Sequence, residues 1–149
     1  LSDVSHATGA FSEGRHLFSV RVYYEDTDFS GIVYHANYLR FIERARTEML
    51  RERNMHQGEI HTGDAIFFVV ARMNLEFLRP ARMDDLLIVE TKAVKIGAAV
   101  LELDQIVRRD ADILFTARVF IAAVSNGKPC RLPKLLREKL SSIAENPAS

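Results

Sequence analysis

Three acidic residues, Glu25, Asp26 and Asp28, fall within four positions just ahead of a segment with helical periodicity that opens at Asn37. The first turn of a helix presents backbone N–H groups without partners and a partial positive charge. Such a place can polarise a carbonyl and hold the oxyanion that forms from it. A carboxylate nearby can attack that carbonyl, or activate a water that does so. The residue types and their spacing therefore fit acyl transfer. On spacing alone capping is the better reading, since an acid before a helix usually serves its backbone.

Other reactive side chains offer less. Cys130 is the single cysteine, with no histidine near it in sequence and no cysteine cluster for zinc. His6, His16, His56 and His61 have no metal-ligand spacing and read as surface residues. Glu43 could orient a water, but Arg40 and Arg46 lie three residues to either side, so a helix ion-pair set is the simpler account. No Gly-x-Ser-x-Gly elbow occurs, which excludes an α/β-hydrolase mechanism.

The elements that must position these residues follow from periodicity. Residues 1–15 read as a flexible tail, and 16–144 as a single domain. From His16 a strand appears, with Phe18, Val20, Val22 and Tyr24 alternating with polar neighbours. Residues 25–31 form a loop. Residues 37–53 form a helix whose Tyr38, Phe41, Ile42, Ala45 and Met49 share one stripe. Residues 54–64 are polar and read as a loop. Then come four strand runs. In the first, Val69, Ala71, Met73, Leu75 and Phe77 share a face, and Pro80 follows its end. The second, 86–96, loses phase after Ala93, which suggests a bulge. The third covers 100–108. The fourth, 113–124, is apolar on both faces and belongs inside a sheet. Turns fall at 109–112 and 126–129, and a short helix closes the domain over 133–144, with Pro133 near its first position. One long apolar helix with one antiparallel sheet is an α+β arrangement.

Composition bounds the function. The 149 residues suit one domain, and 20 basic against 20 acidic residues lack the excess of a nucleic-acid binder. The longest apolar run, 65–71, is far shorter than the roughly 20 residues a membrane helix needs. The first residues carry no apolar signal-peptide core. A cytoplasmic protein is the expectation.

The stretch Arg21-Val22-Tyr23-Tyr24-Glu25-Asp26-Thr27-Asp28, continuing through Gly31-Ile32-Val33-Tyr34-His35-Ala36-Asn37-Tyr38, resembles the 4-hydroxybenzoyl-CoA thioesterase family of hotdog proteins. The helix piece Glu43-Arg44-Ala45-Arg46-Thr47-Glu48-Met49-Leu50-Arg51 resembles its YbgC-type acyl-CoA thioesterase branch, as do Arg79-Pro80-Ala81-Arg82 and Asp84-Asp85. The resemblance implies a hotdog fold, an antiparallel sheet wrapped around one central helix. It implies hydrolysis of an acyl-CoA thioester, with the family's acid on Asp28 rather than Asp26. It places the oxyanion donor on the His35 backbone N–H, with the His35 side chain also implicated in activity. Gly31, Tyr34 and Asn37 complete the motif. Phe29-Ser30 departs from the small residues often found there, which leaves the acyl pocket's shape open. Arg79 and Arg82 could meet CoA phosphates, since arginine suits bidentate phosphate contacts, or could form surface salt bridges. No metal or redox cofactor is implied. Hotdog subunits usually join sheets edge to edge with sites at the boundary, so a homodimer or homotetramer is expected. Two other functions compete: an acyl-thioester hydratase or dehydratase, and a non-catalytic acyl-CoA or acyl-carrier binding module.

Overall fold

The computed structural model describes residues 9–53 and 66–144; the predicted loop at 54–64, His6, His56 and His61 lie outside them. The strands are β1 (Ala10–Ser12), β2 (Arg15–Arg21), β3 (Ile66–Phe77), β4 (Leu86–Ile96), β5 (Val100–Arg109), β6 (Asp112–Ser125) and β7 (Lys128–Cys130). The helices are α1 (Asn37–Glu52) and α2 (Lys134–Ala144). The strands form one antiparallel sheet in the order β1-β2-β4-β5-β6-β3, with β7 added to β6. Helix α1 lies on the sheet against β2, β4 and β5, the hotdog arrangement.

The apolar stripe of α1 forms the centre of the core. Tyr38, Phe41, Ile42, Ala45 and Met49 are buried, facing Leu87, Val89, Leu103, Val107, Phe115 and Val119 of the sheet. The polar side chains Thr91 and Gln105 are also buried here. Gln105 donates to the Ile42 carbonyl at 3.0 Å and to Thr91 Oγ1 at 2.9 Å, and accepts from Arg46 at 3.0 Å. That contact revises the ion-pair expectation for Arg40, Glu43 and Arg46. No Glu43 salt bridge forms among the described residues, and Arg46 turns inward, where burial lowers its pKa.

Three further expectations change. The sheet begins before His16, because Glu13 and Gly14, both at positive φ, close a two-residue hairpin that pairs Ala10–Ser12 with β2. A three-residue strand is too short for alternation to reveal. His16 is fully buried, its ring edge-on to Phe11 at 5.0 Å, rather than on the surface. In β3 a register shift between Val70 and Arg72 changes the phase: Ile66 and Phe68 face the core before it, Met73 and Leu75 after it, and Val69 is exposed.

The irregularity expected after Ala93 is present between Ala93 and Lys95, and β6 lies inside the sheet between β5 and β3. The turn at 126–129 is tighter than read. Asn126 and Gly127, at φ of 52° and 76°, make it alone, and Pro129 sits within β7 at the sheet margin. Pro133 lies one residue before α2, its carbonyl accepting the Arg137 N–H at 3.1 Å.

Candidate active site

The segment between β2 and α1 is tied at several points. A single 3-10 turn, Tyr24–Asp26, follows the strand. Beyond it, Thr27 pairs with Val33, and residues 28–32 project as a closed tip. Within the tip the Asp28 N–H donates to the Ile32 carbonyl at 2.8 Å, and the Gly31 N–H to the Asp28 carbonyl at 3.0 Å. Gly31 adopts φ +84°, and a side chain there would meet nothing, so the need for glycine is conformational rather than steric. The tip is anchored to the 79–82 segment, where Ile32 pairs with Arg82 and the Val33 N–H donates to the Ala81 carbonyl at 2.8 Å.

The acids separate into two environments. Asp28 is exposed at the tip, and its Oδ1 accepts from the Ser30 Oγ at 2.6 Å and the Ser30 N–H at 2.8 Å. The Ser30 hydroxyl, the largest influence, holds the Asp28 carboxyl below the usual carboxylate value, so it is ionised near neutrality. Asp26 is buried, accepting from the Tyr23 N–H and from Asn37 Nδ2, each at 2.9 Å. Neither acid caps the backbone of α1: Asp26 instead holds the Tyr23 N–H at the 3-10 turn and the side chain of Asn37, the first residue of α1. Asp28 caps neither helix.

Helix α1 starts without a side-chain cap at Ala36. The His35 and Ala36 N–H groups make no hydrogen bond among the described residues. They remain available at the positive end of a 16-residue helix. The His35 ring is exposed. It lies 4.5 Å from the half-exposed Tyr34 ring and 6.2 Å edge-on from Phe77. Phe77 continues into a buried aromatic group, 5.0 Å from Phe115 and 5.8 Å from Tyr38.

Arg79 and Arg82 differ. Arg79 pairs with Asp112 at 3.3 Å on the surface. The Arg82 guanidinium is exposed and has no partner among the described residues. An open cleft lined by Tyr23, Tyr24, Glu25, Met83 and Asp84 lies between the 3-10 turn and this segment. A roomier groove of about 620 Å³, lined by residues including Asn74, Glu76, Asp104 and Arg118, holds none of the loop residues. Its arginine, Arg118, is already engaged by the Asp104 and Glu102 carboxylates. Sequence reasoning missed the Asp26–Asn37 contact and the Phe77 neighbour of His35. The first joins residues 11 apart in sequence, and the second joins separate elements.

Comparison with known proteins bears on the family. The sequence profile described as "Thioesterase superfamily" matches residues 30–116, a span that starts just after Asp28 and includes His35. The acyl-CoA thioesterase YbgC of Haemophilus influenzae is 44% identical over 119 residues, 78% of this chain and 88% of that protein. The acyl-CoA thioester hydrolase YbgC of Escherichia coli is 42% identical over 118 residues, 77% of this chain and 87% of that protein. A solved probable thioesterase from Bartonella henselae superposes with a TM-score of 0.77 at 42% identity, covering 80% of this chain and 99% of that one.

Proposed function

The chain belongs to the thioesterase superfamily and is a thioester hydrolase; from that premise we propose that it cleaves acyl-CoA to the free acid and CoA, with Asp28 as the reacting carboxylate. The observation that carries this reading is the contrast between the two acids. Asp26 is consumed by structure, whereas Asp28 is ionised, exposed and held by a short local network. As general base, Asp28 takes a proton from water as the water oxygen bonds to the thioester carbon. As nucleophile, its own oxygen forms that bond and water releases the acyl group afterwards. In both cases the C–S bond breaks and the departing CoA sulfur takes up a proton.

The His35 N–H, without a partner among the described residues at the start of α1, supplies the oxyanion contact. The His35 imidazole, flanked by Tyr34 and Phe77, orients the acyl group or the water. Arg82, whose guanidinium is unengaged among the described residues, is better placed than the paired Arg79 to meet a CoA phosphate. Neither a metal nor a redox cofactor enters these steps.

The active unit is a homodimer or a dimer of such dimers. Among the described residues strand β3 has a neighbour on one side only, and Val69, Val70, Phe77 and Leu78 are exposed along or beside it. An edge of that length and character needs a partner. His35 rests against Phe77 of this edge, which supports a site at the subunit boundary.

A panel of acyl-CoA substrates with thiol detection tests the activity. Thiol release by the native protein and its loss in Asp28→Asn are expected. A protein that binds acyl-CoA without releasing thiol would overturn the proposal. Among the described residues no helix is long and apolar enough to cross a membrane, and cytoplasmic residence is proposed on the strength of the CoA substrate.

A further inference from the structure

Asp26 takes no part in the chemistry above, yet it touches every arm of the site. Its Oδ2 accepts the Tyr23 N–H where the chain leaves β2. Its carbonyl accepts the Tyr34 N–H at 2.9 Å, on the far arm of the loop. Its Oδ1 accepts from Asn37 Nδ2, on the first residue of α1. Asp26 is 6% exposed and Asn37 8%. Both carboxylate oxygens therefore have donors, and the pair spans the segment that carries Asp28 at its tip and His35 at its end.

We propose that Asp26 and Asn37 form a positioning pair that fixes the Asp28 tip relative to the uncapped start of α1. The proposal rests on the reading of Asp28 and His35 given above. An ionised Asp is an acceptor only, and an Asn amide offers both donors and an acceptor. With Asp at 26, residue 37 must present a donor, and Asn37 does so. The buried setting makes the arrangement demanding, because a buried polar group left without its partner is costly. Ordinarily a carboxylate in the first turn of a helix is favourable. Asn37→Asp would nevertheless set two carboxylates against each other, so damage there would report on Asp26 and not on the helix.

The pairing can be reversed. In the double variant Asp26→Asn with Asn37→Asp, the new amide oxygen at 26 accepts the Tyr23 N–H. Its NH2 donates to the new carboxylate at 37. Both bonds return and the net charge is unchanged. Asn37→Leu provides the uncharged break.

The test is steady-state thiol release from an acyl-CoA that the native protein turns over, with circular dichroism and melting curves, on these three variants and on Asp28→Asn. Asn37→Asp and Asn37→Leu are expected to lower kcat between about 10- and 100-fold with little change in KM, the scale of a small misplacement of reacting groups. The reversed pair is expected to regain most of that loss. A general structural role would lower the melting temperature without this kcat-against-KM split. Native-like kcat in Asn37→Leu would overturn the proposal, as would a reversed pair that is unfolded or no more active than Asn37→Asp. Native-like kcat in Asp28→Asn would instead overturn the underlying reading of the site, so the two failures are distinct.

Discussion

The Tyr38 hydroxyl accepts the Ala81 N–H at 3.0 Å within the core, while the Ala81 carbonyl accepts from Val33 at 2.8 Å. One buried residue of the 79–82 segment thus joins α1 to the site loop. Burial, the largest influence, raises the Tyr38 pKa and keeps the phenol protonated. Tyr38→Phe keeps the ring stacked on Phe115 and removes only the acceptor. Leaving the Ala81 N–H unmet is expected to cost about 1–3 kcal/mol. Urea denaturation should show the loss as a lower midpoint with an unchanged slope.

Asp28→Asn preserves shape and removes the carboxylate. Turnover is expected to fall about 100-fold or more, the scale of one general-base step. Folding should barely change, since Asp28 is exposed and its contacts are local. Asp26→Asn is expected to cost much less, because the Asn37 amide can turn to present its oxygen. Kinetics of the two variants side by side decide the assignment, and a more damaging Asp26→Asn would reverse it.

The Asp28 carboxyl is predicted to titrate below its ordinary value of 3.8. The sign follows from the Ser30 hydroxyl, which bonds the ionised form and favours it. The charge is present throughout neutral pH and is lost only as pH falls through the depressed value. Ser30→Ala should move the midpoint back up. Carbon-detected NMR of the Asp28 carboxyl measures both. The group is fully exposed, so the shift belongs to the site's chemistry and not to fold stability.

His35 has two separable parts. His35→Gln and His35→Asn leave the backbone N–H in place. Both are expected to lower turnover while folding normally, with a loss near about 100-fold, the low end for a group that orients or transfers a proton. Kinetics across pH, with circular dichroism for folding, give the answer. Native rates and an unchanged pH profile would leave only the amide in the mechanism.

The β3 edge predicts association. Light scattering should give twice or four times the chain mass. Val69→Lys with Val70→Lys places charges on that edge, the usual means of blocking strand pairing. The variant is expected to shift toward monomer and to lose thiol release with it.

Much of this architecture was legible because burial imposes period. The stripe on α1, the alternation in β2 and the two-faced apolarity of β6 each follow from what those elements cover. The unlegible parts are those that periodicity does not encode. Residues 10–12 are too few to alternate, and their hairpin depends on Glu13 accepting a positive φ. The β3 shift at Val70 and Arg72 leaves no mark in composition. His16 looked like a surface residue because a lone histidine gives no sign of the Phe11 ring beside it. In the site, the acids were visible as a cluster, but the difference between Asp26 and Asp28 arises from Asn37 and Ser30, contacts that only the fold creates.

The strand order has a bearing on how the chain reaches this state. Strands β4, β5 and β6 are neighbours both in sequence and in the sheet, so their hairpins close short loops. Strand β2 must instead find β4 across a long separation, as the contact between Arg15 and Glu90, 75 residues apart, illustrates. Loop closure of that kind carries the larger entropy cost and comes later. The segment holding Asp28 hangs from β2 and takes its shape only once β2 has docked. During refolding, sheet signal should therefore rise ahead of thiol-releasing activity, which waits both for β2 to dock and for the subunits to join.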